Sequence, residues 1–180
     1  MKKSIKALIA VIAVALPAMA SATIVSDTSN PYVNLQQGQS YTVYHDLTSY
    51  GVPDANEVTN AWLRLSFSDG YHRGDWALDI ANISAAGVSR TYEVDGTHAF
   101  GFDVRWIGVG AAGIDSLNDN GILAVTVNAA NTAWWAGHND FWWKHSTLYA
   151  NVQAVPAPGA LALLGLGLLG MGAVRRRRNA

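Results

Sequence analysis

The chain contains no cysteine. That excludes a disulfide scaffold, a thiol nucleophile and thiolate metal sites. Glutamate is nearly absent: Glu57 and Glu93 are the whole supply. Lysine occurs once beyond residue 6, at Lys144. Seven of the 12 Lys and Arg residues lie near the two ends, as Lys2, Lys3, Lys6 and Arg175 to Arg178. The remainder keeps Arg64, Arg73, Arg90, Arg105 and Lys144, five cations against 13 carboxylates, a net of −8. Such a body repels phosphate backbones and anionic lipid, which argues against nucleic acid as a partner. There is no G-x-S-x-G and no phosphate loop. The five histidines, His45, His72, His98, His138 and His145, show no paired zinc spacing. They read as ordinary polar residues, and no cofactor or metal is expected.

Long hydrophobic runs occur only toward the ends. "MKKSIKALIAVIAVALPAMASA" has a basic start, an apolar stretch from Ala7 to Leu16, and the small-residue site Ala20-Ser21-Ala22. This is the layout of a signal peptide, with cleavage expected after Ala22, so residues 1–22 are assigned to it. The apolar stretch is too short for a permanent span.

The second run is "VPAPGALALLGLGLLGMGAVRRRRNA". Residues 159–174 carry no charge, and as a helix they reach about 24 Å, short of a ~30 Å hydrocarbon core. Snorkelling arginines and local thinning can close that gap. The run is apolar all round, unlike a helix packed on a soluble domain. Arg175, Arg176, Arg177 and Arg178 follow directly, and the positive-inside rule keeps them in the cytoplasm. This segment resembles the PEP-CTERM sorting signal of Gram-negative bacteria: a Pro-Glu-Pro-type motif, a short Leu/Gly-rich transmembrane helix and an arginine cluster. Val155, Pro156, Ala157 and Pro158 stand at the motif, with Ala157 where the family most often has glutamate. The resemblance implies a processing enzyme, the exosortase, as partner. It also implies a transient stay in the inner membrane, and exopolysaccharide or biofilm matrix as the setting. The protein is then expected at the cell surface or in the extracellular matrix.

Between these segments, residues 23–154 are long enough to bury a core without disulfides. "SYTVYHDL", "AWLRLSFSD", "DWALDI", "HAFGFDVRWIGV", "GILAVTVNA" and "DFWWKHSTLYANV" alternate apolar and polar residues at period two. In the second, Leu63, Leu65 and Phe67 share a face. The third aligns Trp76, Leu78 and Ile80. The fourth aligns Phe100, Phe102, Val104 and Trp106 opposite Asp103 and Arg105. One short helix is expected around residues 111–117. The whole predicts an all-β fold, a single antiparallel β-sandwich or jelly-roll-like domain. It is flanked by the signal peptide and by residues 155–180, with the motif at 155–158, the span at 159–174 and the basic cluster at 175–178. More loosely, "YTVYHDL", "LRLSFSDG" and "NDFWWKHSTLYANV" resemble small β-rich domains found upstream of such signals, whose activity is unassigned.

Seven tryptophans are the body's main chemical resource. Neighbours in a strand point to opposite faces, so one of Trp142 and Trp143 leaves the core. Trp142 shares its face with Asp140 and Lys144; Trp62 sits among Arg64, Ser66 and Ser68. Both are candidates for stacking on sugar rings, whose C–H faces are apolar. "DSLNDNG" (residues 115–121) lacks the calcium-loop order and reads as an Asx-rich turn. Asp69, Asp75 and Asp79 are a weaker calcium candidate. The expected function is that of a non-enzymatic, exported envelope or matrix protein. A lectin-like module is the alternative, and a glycan-active enzyme built on paired carboxylates the third reading.

Overall fold

The computed structural model describes residues 21–69, 79–94, 102–131, 139–155 and 165–168. The chain divides into two compact units, one of residues 22–153 and one of residues 1–21 with 154–180. The first is mostly β. Its strands are β1 (Thr23–Ser29), β2 (Val33–Gln36), β3 (Ser40–Asp46), β4 (Asn56–Asp69), β5 (Asp79–Ala85), β6 (Val88–Val94), β7 (Asp103–Gly108), β8 (Ile122–Ala129) and β9 (Asp140–Ala154). A 3-10 turn covers Thr48–Tyr50, and helix α1 (Ala111–Asn120) joins β7 to β8.

The strands form two sheets. The first runs β1-β9-β4-β7, with β2 also pairing β9; the second runs β3-β8-β5-β6. The β1–β9, β2–β9, β4–β7, β3–β8, β5–β6 and β5–β8 pairings are antiparallel. Period-two alternation explains which residues turn inward. Leu63, Leu65 and Phe67 of β4 are buried together, as are Ala81, Ile83 and Ala85 of β5 and Leu123, Val125 and Val127 of β8. These join Phe141, Trp143, Leu148 and Ala150 of β9 in one core cluster drawn from both sheets. Phe67 is its hinge, edge-on to Phe141 at 5.6 Å between centroids and tilted against Trp143 at 6.5 Å.

Strand β9 is the longest and carries a shift in phase. Phe141 and Trp143 are buried, then Ser146, Leu148, Ala150 and Val152. Two residues, Lys144 and His145, separate the two buried series, and both sit half-buried. The same point divides its partner strands. Ser29 of β1 pairs with Ser146, and Val33 of β2 pairs with Trp143. Pro31 lies in the gap between β1 and β2, where it donates no ladder hydrogen bond. Three residues, Asn30 to Tyr32, stand opposite Lys144 and His145, so the pairing slips by one residue where the phase of β9 changes.

Three expectations differ from the structure. The alternation expected along β7 holds, but its aromatic side faces outward: Trp106, and Phe102 just before the strand, are both more than half exposed, while Ile107 is buried. The reason lies in Arg105, which donates from Nη2 to the Glu93 carbonyl of β6 (2.7 Å) and to Asp103 (2.6 Å), and spans the edge between the sheets. Its guanidinium lies over the Tyr92 ring, 5.4 Å from the centroid. In β5, Asp79 takes the inward phase and Ile80 turns away, because Asp79 Oδ1 accepts the Asp140 amide at 3.0 Å. Trp76 and Leu78, which were aligned with Ile80, lie outside the described residues.

Helix α1 extends three residues beyond the expected end, to Asn120, so "DSLNDNG" is a helix terminus rather than a free turn. Asn118 both accepts from the Val58 amide (2.7 Å) and donates to the Val58 carbonyl (3.0 Å), and Asn120 Oδ1 caps the Ile122 amide (2.8 Å). Gly121 ends the helix at φ 75°.

Candidate functional site

Strands of both sheets bring three polar side chains together between them. Asp27 of β1, His45 of β3 and Ser146 of β9 form a hydrogen-bonded row. His45 Nδ1 is 2.9 Å from Asp27 Oδ2, and His45 Nε2 is 2.8 Å from Ser146 Oγ. Asp27 is acceptor-only, so it fixes the proton on Nδ1, and the Ser146 hydroxyl then donates to Nε2. Asp27 also accepts the Asp46 amide at 3.3 Å. Each residue sits at an inward position of its strand, which is why the fold assembles the row. The three come from sequence positions 27, 45 and 146, and no local motif announces them.

This order of groups is that of a serine-nucleophile triad, but its surroundings are those of a core. His45 and Ser146 are 0% exposed, and only Asp27 reaches solvent, its side chain 32% exposed. Burial pushes the His45 pKa below 6.5, with the Asp27 hydrogen bond and charge opposing in part. Burial therefore favours the neutral imidazole. The row ties β1, β3 and β9 to one another across both sheets.

The outward face of the first sheet is aromatic. Trp62 of β4 and Tyr149 of β9 are near-parallel, 14° between planes and 6.1 Å between centroids. Tyr149 and Trp106 of β7 are 30° and 5.6 Å apart. A second group lies along the same strands. Phe102, the residue before β7, packs edge-on to His145 of β9 at 6.1 Å, and Tyr32 does so at 5.9 Å. Phe102 and Trp106 are four residues apart along β7 and the residue before it, as are His145 and Tyr149 on β9, a separation of about 13 Å in extended chain. Val104 and Thr147 therefore lie between the two aromatic groups. On β4, Ser66 pairs with Val104 and Arg64 with Trp106.

Tyr32 reaches His145 from a backbone at φ 49°, left-handed for a bulky residue. Lys144 is held between two rings, its Nζ 4.5 Å from the Tyr32 centroid and 4.3 Å from that of Trp142. His145 Nδ1 is 2.6 Å from Asn30 Oδ1.

The sequence-derived sugar-stacking candidates thus fall at opposite ends of this face. Trp62 and Trp142 are both half-buried on outward positions; Trp62 packs on Tyr149, and Trp142 carries Lys144 over its ring. Trp106, Tyr149 and Phe102 complete the face. Their parity on β7 and β9 was readable, but the exposure of β7's apolar side was not. Among the described residues no three His, Asp or Glu side chains gather as a metal site. Asp75 and the Asp69 side chain lie outside the description. Glu57 accepts from Gln153 Nε2 on the first sheet, and Glu93 is on the second.

At its far end β9 closes at Ala154, and the next residue, Val155, is exposed. Residues 154–178 match the family model of the PEP-CTERM protein-sorting motif. The chain carries a PEP-CTERM sorting motif. That motif implies an exported substrate of an exosortase, held transiently in a membrane before surface release. Pro156, Ala157 and Pro158, the arginines from Arg175 to Arg178, and Ala20 lie outside the described residues. So does the expected span at 159–174, apart from a helical stretch at 165–168; among the described residues no helix is long and apolar enough to cross a membrane.

No curated protein matches the PEP-CTERM-bearing chain in sequence. Among solved structures it is similar to dimeric latent PorU from Porphyromonas gingivalis, at 10% identity and a TM-score of 0.46. That match covers 78% of this chain and 14% of PorU. VP2 of infectious bursal disease virus is matched at 11% identity and 0.36, over 79% of this chain and 42% of that one. Desmodium yellow mottle tymovirus is matched at 9% and 0.29, over 78% and 92%. The chain therefore spans well under two thirds of the first two.

Proposed function

We propose that this is a non-enzymatic envelope or extracellular-matrix protein, delivered across the inner membrane and processed by an exosortase near Pro156–Pro158. The single observation that carries the reading is the sorting motif at residues 154–178. The body is a β-sandwich whose two sheets share one core. Its termini suit delivery by two temporary tethers. Thr23, the residue after the expected signal cleavage at Ala22, pairs with Val152, two residues before the motif begins. Both processing events then act on the same end of one antiparallel ladder. Exopolysaccharide is the partner that this setting favours.

The non-enzymatic reading rests on burial. The only nucleophile–base–acid row among the described residues keeps Ser146 and His45 wholly inside the core. A hydroxyl there meets no substrate without opening the fold. Expression in a host with and without the exosortase tests the proposal. A body that reaches the exterior only when the enzyme is present supports it. Equal release in both hosts overturns it.

A second reading, a lectin-like module, is favoured by the near-parallel rings of Trp62, Tyr149 and Trp106 on one exposed sheet face. Apolar C–H faces of a sugar stack on an exposed ring, and Trp106, more than half exposed, stands at one end of this stack. Loss of glycan binding in Trp106→Ala with the fold intact tests it.

A further inference from the structure

We propose that the aromatic face of the first sheet binds an acidic polysaccharide, a chain bearing uronate or similar carboxylate groups. The inference rests on the lectin-like reading and adds the charge of the ligand. It starts from a contrast. The body is acidic, at −8 with only five cations. Yet Arg64 and Lys144, two of those five, lie on the outward positions of this one face, beside Trp106 and Trp142.

The carboxylates of the same sheet among the described residues face the interior, hold other side chains or lie at the ends of the face. Asp27 faces the interior and holds His45, Asp103 holds Arg105, and Glu57 holds Gln153 at the end of the sheet. Asp140 lies at the far end of the face, beyond Trp142. Arg64 has no hydrogen bond or ion pair among the described residues, and its side chain is half-buried. A guanidinium presents a planar fork of donors that matches a carboxylate in two parallel hydrogen bonds. Lys144 is held by rings on two sides, which fixes its ammonium in place.

The two aromatic groups, about 13 Å apart along the strands, set the scale of the ligand. That spacing exceeds a single sugar ring, so a polymer engages both groups where a monosaccharide engages one. Trp62 and Trp106 each stack on Tyr149, which leaves Trp106, more than half exposed, as the ring open to a ligand at one group and Phe102 as the open ring at the other. Nucleic acid shares the stacking and the negative charge, but its dense phosphates meet the acidic body around this face.

The test uses the full-length protein in detergent, with tryptophan fluorescence titrated by polygalacturonate and by dextran, an uncharged glucan. The expected result is saturable binding to polygalacturonate, weaker by tenfold or more for dextran, and weakened by salt. Arg64→Ala should remove most of that tenfold preference, and Trp106→Ala should reduce binding to both polymers. Circular dichroism and an unchanged thermal midpoint check the fold of each variant. Equal binding of the two polymers, with Trp106→Ala still harmful, overturns the acidic preference and leaves the lectin-like reading standing. Binding of neither polymer overturns both. Polygalacturonate binding untouched by Arg64→Ala and Trp106→Ala together overturns the assignment to this face.

Discussion

Thr23 and Val152 are directly paired partners in the β1–β9 ladder. The residue after the expected signal cleavage therefore sits beside the residue that leads into the sorting motif. The pairing also closes the sheet edge, since β1 is outermost on that side. Deleting residues 23–26 removes four ladder pairs, Thr23 to Ser26. The expected outcome is a body with a lower denaturation midpoint and increased proteolysis near Val152, read by limited digestion. An unchanged digestion pattern would show that the pairing contributes nothing.

The buried row predicts a dependence on pH. Burial holds the His45 pKa below 6.5, so the folded protein binds this proton more weakly than the unfolded chain. Stability is then full above about pH 6.5 and falls as pH drops through the interval down to the folded value. The charged neighbour is Asp27, and Ser146 on the third strand carries no charge. Urea midpoints at pH 7.5 and 5.5 should differ in the wild type, and the difference should shrink in His45→Gln. Equal slopes in both proteins would assign the acid sensitivity to other groups.

Ser146→Ala leaves His45 Nε2 without its donor inside the core. A buried polar group stripped of its partner costs about 1–3 kcal/mol. The variant should lose that much by chemical denaturation, while hydrolysis of an activated ester such as p-nitrophenyl acetate stays at the wild-type level. A large loss of esterase activity on this substitution would reopen the enzymatic reading.

The two kinds of tryptophan should separate cleanly. Trp143 is fully buried against Phe67, and its truncation to alanine should cost about 3–5 kcal/mol. Trp106 is more than half exposed, so Trp106→Ala should cost less than about 1 kcal/mol. Thermal denaturation of both variants checks the ordering.

Gly113 offers a test of packing against propensity. Alanine is the better helix former by about 1 kcal/mol. A Cβ at Gly113, however, would clash with Val109 Cγ1 and lie 3.4 Å from Leu123 Cδ1, in the crowded seat of α1. Gly113→Ala should therefore lower the thermal midpoint despite its higher propensity. A rise would mean that Val109 yields easily.

How far the sequence spoke depended on contrast between the two faces of each strand. Leu63, Leu65 and Phe67 alternate with Arg64, Ser66 and Ser68, and their burial was legible. Strands β1 and β2 were not, because "TIVSDTS" and "VNLQ" are short and polar edge strands. The β5–β6 hairpin turns at Ala86 and Gly87, both at positive φ, without the Asn-Gly signature that marks such turns. In β7 both faces carry large side chains, so period two gave the alternation without its direction. The Asp27–His45–Ser146 row was invisible, since only the fold joins three strands that distant in sequence. The sorting motif was the reverse case: it is contiguous and needs no fold to be read.

Processing at the motif is the central claim, and the intact mass of the exported protein tests it most directly. The predicted result is a species beginning at Thr23 and lacking Arg175 to Arg178, with accumulation of the unprocessed form when Pro156 and Pro158 are both changed to alanine. An extracellular protein that still carries the four arginines would contradict it.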